Sequence, residues 1–298
     1  MKHTDAFSSC HPLVNFLYFV LVLGCTMFLM HPAYVCISLV TAFSYNAFLK
    51  GRKAVRFTLL YMLPMMLMAA VFNPAFNHEG VTILTYLPTG NPLTLESIIY
   101  GIAASGMLAA AVLWFSCYTK VMTSDKFVYL FGRIIPAMSL VLSMTLRFIP
   151  KFKAQLHTVR EAQRCVGRDI SDGSLVKRVK NAVTILSILL TWCLENAIGT
   201  ADSMKSRGYG LPGRTAFSIY RFDGRDKATL AWLGFCGFYI ICGWAAGGLH
   251  WQYYPSIKGV DLSPLTLSFQ AVYLGLCLTP MILDKKEDKV WKRLRSEI

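Results

Sequence analysis

Apolar runs of membrane-spanning length alternate with short charged or turn-rich segments along most of the chain. Leu13–Met30 holds 18 residues without a charge, Ile98–Tyr118 holds 21, Ala228–Leu249 holds 22 and Pro264–Leu283 holds 20. About 20 apolar residues cross a bilayer as a helix. The pattern predicts an all-α polytopic membrane protein with about six transmembrane helices. They are placed at Leu13–Met30, Ala33–Leu49, Phe57 to about Phe72, about Ser97–Tyr118, Ala228–Leu249 and Pro264–Leu283. A polar lead, Met1–Pro12, precedes the first, and His31-Pro32 forms a tight turn before the second. Pro64 marks a kink in the third. The first run is longer than a signal-peptide core and lacks a small-residue cleavage site, so it is expected to be retained.

Two further apolar runs are shorter: Ile134–Leu146, with 13 residues, and Val183–Leu194, with 12. Arg133 and Arg147 flank one, Lys180 and Lys205 the other. A single crossing would leave one basic flank outside. Both are read as helices that enter the membrane interface or pack on the spans, with crossing as a pair left open. The chain thus reads as three parts: an N-terminal transmembrane part, residues 1–118; a region of long cytoplasmic or interfacial coupling helices, residues 119–227; and a C-terminal helix pair with a basic tail, residues 228–298.

Charge orients this layout. The net charge is +14, yet only 15% of residues are charged. In a soluble protein such a balance would suggest nucleic acid; here the excess of bases on cytoplasmic segments explains it. Lys50, Arg52, Lys53 and Arg56 place the first loop inside, together with both termini. Asn73–Glu96 has no Lys or Arg and lies outside, as does His250–Ser263. Of 30 Lys and Arg residues, only Lys258 is then external. The nine cysteines lack metal or redox spacing, and six lie inside apolar runs, so they read as small buried hydrophobes.

The region from Arg147 to Gly213 carries the most chemistry. Phe152, Leu156, Val159 and Val166 fall on one helical stripe, with Lys153, Arg160, Glu161 and Arg164 off it. Val183, Leu186, Leu190, Cys193, Ala197, Ala201 and Met204 form a second. Each pattern ends in a base, a small residue, a variable residue and a glycine: Arg164-Cys165-Val166-Gly167 and Lys205-Ser206-Arg207-Gly208. Glycine takes the left-handed cap conformation cheaply, and Pro212 blocks continuation of the second helix. Taken singly, each base is ordinary helix-end charge that suits the dipole. Their repetition points to two exposed ends that meet partners, for which arginine's planar fork is well suited.

Other chemistry is missing. The sequence has no GxxxxGK[ST] loop, no HExxH and no GxSxG, so no catalysis or cofactor is expected. The spans hold no Lys or Arg, which weakens the alternative of an autonomous secondary transporter. Glu195, in LLTWCLENA, either pairs with a base or faces water.

Four segments resemble one family: FNPAFNHEGVTIL at Phe72–Leu84, RFIP at Arg147–Pro150, AQRCVG at Ala162–Gly167 and MKSRGYG at Met204–Gly210. Together they are similar to the transmembrane (T) component of energy-coupling factor ABC transporters, the EcfT/CbiQ type. That resemblance implies a multi-pass plasma-membrane subunit of a vitamin or metal importer. It implies two cytoplasmic ABC ATPases as partners, and a membrane-embedded S component that selects the substrate. It implies ATPase contacts at Arg164, Gly167, Arg168, Ser206, Arg207 and Gly208. Arg147, Pro150, Gln163 and Met204 are expected to shape the coupling helices. The second motif matches well, with Ser206-Arg207-Gly208 where the family has Ala-Arg-Gly. The first departs: Val166 stands at the usual Arg position, between Arg164 and Arg168.

Overall fold

A computed structural model describes residues 6–86, 92–132, 135–171, 173–211, 220–259 and 263–296. The chain divides into two compact units, Met1–Lys126 with Tyr220–Ile298, and Phe127–Ile219. Pro212 and Gly213 lie outside the described residues.

The first unit is a helical membrane body. A short α1 (Ala6–Ser9) precedes α2 (Pro12–Phe28) and α3 (Pro32–Lys50). His11 and His31 each accept the backbone N–H two residues on, and each is followed by a proline at the first helical position. Proline's missing N–H costs nothing there, since helix-start donors have no partner within the helix. The third span is one continuous run of α4 (Arg52–Phe57), a π-helical turn (Thr58–Met62) and α5 (Leu63–Phe76). Pro64 lies just after the π turn, which widens the helix where the proline ring and absent donor disturb the ladder. Next come α6 (Leu95–Val121) and the start of α7 (Ser124–Gly132). After the second unit, the body closes with α10 (Gly224–Ala245) and α11 (Pro264–Ser296).

Its core gathers α2, α3, α6, α10 and α11 around Trp114, which is fully buried and ringed by Tyr18, Phe19 and Tyr45 at 6.1–6.5 Å. A chain of hydroxyls crosses the same core. Trp114 Nε1 donates to Ser38 Oγ at 3.0 Å; Ser38 and Thr26 share a 2.8 Å bond, and Thr26 and Tyr273 a 3.2 Å bond. One residue from each of four helices thus satisfies buried polar atoms away from water, as a membrane interior requires. At Gly101 an added Cβ would stand 2.9 Å from the Ala70 carbonyl, so α5 and α6 approach at backbone distance.

Two details differ from the expected layout. Among the described residues six helices are long and apolar enough to span a membrane, and five of them fall on expected spans. The first apolar helix, Pro12–Phe28, has 17 residues because the turn at His31-Pro32 follows it closely, whereas Leu175–Ser206 qualifies at 32. The apolar centre Val183–Leu194 is not a short helix of its own: good helix formers on both sides extend it. The segment Asn73–Glu96 carries regular structure that its turn-rich sequence does not announce. It contains the end of α5 and an antiparallel pair, β1 (Ile83–Tyr86) and β2 (Pro92–Thr94). Buried Glu96 accepts from Thr82 N and Oγ1, Ser97 Oγ donates to the Asn77 carbonyl, and Thr94 Oγ1 donates to the Glu79 carbonyl. Gly80, at φ +144°, lies where a Cβ would meet the Glu96 carboxylate at 2.7 Å. The acid that ends the loop in sequence is thus the residue it folds around.

The second unit contains most of α7, then α8 (Pro136–Cys165) and α9 (Leu175–Ser206). α8 and α9 run in opposite directions. Phe148 stacks on Trp192 with ring centres 5.6 Å apart, Val159 packs on Ile185 and Leu189, and Asn181 Nδ2 donates to the Asp169 carbonyl at 2.9 Å. Phe152 and Val159 face this small core, while Leu156 stays more than a third exposed. The apolar stripe through Val183, Leu186 and Leu190 faces outward; α9 packs through Asn181, Ile185 and Leu189 instead. The middle of α9 is apolar on both sides, so spacing alone could not choose the packed one.

Candidate functional site

The two helix ends singled out by their sequence close in the same way. α8 ends at Cys165 and α9 at Ser206. At the first, Gly167 N donates to the Arg164 carbonyl at 3.0 Å and Arg168 N to the Gln163 carbonyl at 2.9 Å. At the second, Gly208 N donates to the Lys205 carbonyl at 3.0 Å and Tyr209 N to the Met204 carbonyl at 3.0 Å. This paired closure is the Schellman motif, which needs a left-handed residue directly after the cap. Gly167 and Gly208 supply it, with φ of +73° and +78°. The caps superpose in dihedral space as well: Val166 at φ −90°, ψ 10° and Arg207 at φ −85°, ψ 10°.

Residue pairing between the ends follows from this geometry. Gln163 matches Met204, Arg164 matches Lys205, Cys165 matches Ser206, Val166 matches Arg207 and Gly167 matches Gly208. Gln163 and Met204 supply the carbonyls that lock the two caps. The valine thus occupies the backbone position of Arg207, and no shift of register restores an arginine there. Arg207 and Ser206 are exposed, as are Arg164, Arg168, Arg147 and Pro150. Pro150 lies inside α8, where its missing N–H cannot bond the Leu146 carbonyl. Glu195 is exposed on α9.

The ends differ electrostatically. Arg164 Nε lies 3.4 Å from Asp169 Oδ2. The N–H of Ser171, donating to Asp169 at 3.1 Å, holds that carboxyl below its usual range; the charges of Arg164 and Arg160 act the same way. A depressed carboxylate contributes to stability above its ordinary pKa and loses that contribution as pH falls through the lowered value. Asp169 therefore engages Arg164 at neutral pH. Asp169 was not expected at the site, although an Asp that accepts from the amide two residues on is a recognisable turn signal.

The ends also lie apart. From the Val159–Ile185 contact, Cys165 is six residues along α8, about 9 Å. Ser206 is 21 residues along α9 in the other direction, about 32 Å. A face of α9 opposite the packed one is open along its length: Val176, Val179, Val183, Leu186, Leu190, Leu194 and Ile198 are 52–81% exposed. Contiguous apolar exposure of this extent marks a surface covered by protein or lipid.

A family model described as cobalt transport protein, CbiQ, matches residues 8–217, a stretch that contains both helix ends and the folded loop around Glu96. The chain belongs to the CbiQ family. It is similar to the energy-coupling factor transporter transmembrane proteins EcfT of Lactobacillus helveticus (strain DPC 4571), at 37% identity over 99 residues, and Lactococcus lactis subsp. cremoris (strain MG1363), at 36% over 91. The EcfT of Bacillus selenitireducens is 37% identical over 95 residues. These matches cover 33%, 30% and 32% of this chain, and span about a third of the curated relatives' length, 36%, 34% and 35%. Membership of the CbiQ family and the six long apolar helices among the described residues make this a multi-pass membrane protein of transport.

The cap geometry makes one prediction. Gly208→Val places a β-branched side chain at φ +78° and 3.1 Å from Leu211 Cδ1. Gly167→Ala meets nothing within 4 Å and suffers only the dihedral strain. Left-handed strain costs about 1–2 kcal/mol. Amide exchange at Arg168 should rise severalfold in Gly167→Ala, and exchange at Tyr209 should rise further in Gly208→Val. The helix interiors stay protected in both.

Proposed function

We propose that this protein is the transmembrane coupling subunit of an energy-coupling factor type ABC importer. Two cytoplasmic ABC ATPases receive the helix ends, and the subunit passes their motion to a membrane-embedded S component that binds the substrate. The observation that carries this reading is the duplicated helix end: two structurally equivalent caps, exposed and pointing to opposite ends of one helical pair, suit two similar partner subunits. The EcfT names of the relatives support the same assembly.

Roles follow from exposure and charge. Arg207, Ser206 and Gly208 form one ATPase contact. Gly167 and Arg168 form the other, with Arg164 held by Asp169 and Val166 presenting an apolar cap where its counterpart is cationic. The two ATPase contacts are therefore chemically unequal. The open stripe of α9 receives the S component. Lys177, Arg178 and Lys180 at one end of α9 and Lys205 and Arg207 at the other keep both ends on the cytoplasmic side. Both termini share that side.

Co-purification of two ATPases with the wild-type chain tests the assembly. Orientation is tested by cysteine labelling in a background without native cysteines. Val81→Cys, at an exposed position of the folded loop, should react with an impermeant maleimide added outside, and Ser203→Cys only after permeabilisation. Labelling of Val81→Cys from the cytoplasmic side alone would overturn the map.

A further inference from the structure

The chain leaves the membrane body at Lys126 and returns to it at Tyr220. Both roots are tied to the same short stretch near the N-terminus. At the exit, the ammonium of buried Lys126 donates to the Val121 carbonyl at 2.9 Å and to the Ser8 carbonyl. At the return, buried Asp226 accepts from His11 N at 3.1 Å while also capping α10 through Asp223 N. Beside it, Arg225 donates to Ser9 Oγ at 3.1 Å and to Glu287 of α11 at 3.1 Å. Phe7 N donates to buried Asp284 of α11 at 3.1 Å.

Residues 7 to 11 are thus held by side chains from three helices, each charged, and most of them buried. Burying charges is expensive, and apolar residues of like size would pack a helix as firmly. What charged groups add is direction: each bond fixes one atom against one partner, and sliding breaks it. Beyond Lys126, α7 continues into the second unit, where Ser139 Oγ donates to the Val128 carbonyl at 3.1 Å. An added Cβ on Gly132 would clash with Ser139 Oγ, so α7 and α8 approach closely there.

We infer that residues 7–11 form a clasp that joins the two roots of the coupling-helix unit, and that Lys126 and Asp226 are positioning residues through which its motion reaches the membrane body. The inference rests on the coupling function proposed above. The clasp makes the roots move as one, so force entering at either end reaches α10 and α11 together.

Amide exchange of the full chain in lipid nanodiscs tests this without any partner. Lys126→Met should raise exchange about tenfold at residues 223–230 of the other root, the effect of losing one charge-assisted hydrogen bond. Arg225→Gln should do the same at residues 121–130. Changes confined to the mutated root would overturn the clasp. If Lys126→Met fails to insert, Arg225→Gln, at a half-exposed position, decides. A second arm uses the chain with its ATPases and the reporter Val81→Cys. Both variants should keep ATPase co-purification and hydrolysis, but lose the change in maleimide labelling that ATP causes in wild type. A variant that retains the change sinks the clasp alone. A wild type without the change, although its ATPases are bound, sinks the coupling function and the transmission role with it.

Discussion

Arg207→Glu should reduce ATPase co-purification at least tenfold, while Lys205→Glu beside it has a smaller effect. The difference comes from the cap. Arg207 is the cap residue itself, at φ −85°, ψ 10°, directly before Gly208. Its side chain leaves the helix where the backbone turns away. Lys205 lies two positions back in the last turn, where its carbonyl is already used by Gly208. Loss of a charge-assisted hydrogen bond costs about 1.5–3 kcal/mol, and about 1.4 kcal/mol is a factor of ten in affinity. A glutamate adds repulsion if the receiving groove is acidic. The exposed cap contributes little to the packing of α8 on α9, so membrane insertion and thermal stability should match wild type. Val166→Arg at the equivalent position of the other end should raise co-purification or leave it unchanged. Wild-type ATPase binding by Arg207→Glu would return Arg207 to an ordinary helix-end charge.

The caps were legible in sequence because a Schellman closure depends on a glycine at one position, and glycine there leaves a sharp local signal. The membrane helices were legible from length and apolarity, which the bilayer dictates almost residue by residue. Where reading failed, long-range packing decided. Nothing local in α9 distinguishes the Ile185–Leu189 side, which meets α8, from the Val183–Leu190 side, which does not. Both are aliphatic at helical spacing. Glu96 was counted as the last residue of an external loop, yet the loop closes on its carboxylate from Thr82, 14 residues earlier. The clasp around residues 7–11 joins groups up to 277 residues apart, and no pattern in a window of sequence reports such a contact. Asp169 and Arg164 are near neighbours, but their pairing depends on the turn at Ser171.

Polar substitution of the open stripe on α9 should release the S component and leave the ATPases in place. Leu186 and Leu190 stand one turn apart at its centre, 52% and 55% exposed. Full burial of a leucine side chain contributes about 1.5–3 kcal/mol, and a carboxylate forced into such an interface adds a desolvation cost. The double variant Leu186→Glu/Leu190→Glu should therefore lower co-purification of a co-expressed S component at least tenfold, since about 1.4 kcal/mol suffices. ATPase recovery should stay at the wild-type level, because Arg207 is about 25 Å of helix beyond Leu190 at 1.5 Å per residue. Lipid is the competing cover for an apolar face, and the same variant separates the two. On a lipid-facing helix each central glutamate opposes insertion by about 2.5–3.5 kcal/mol, so the whole subunit would be lost from the membrane, together with its ATPases. Leu190→Ala sharpens the comparison. Against fluid lipid the smaller side chain is readily accommodated, whereas a fitted interface keeps the cavity and weakens. Selective loss of the S component in both variants supports docking on this face; joint loss of all partners, with Leu190→Ala neutral, assigns the stripe to lipid.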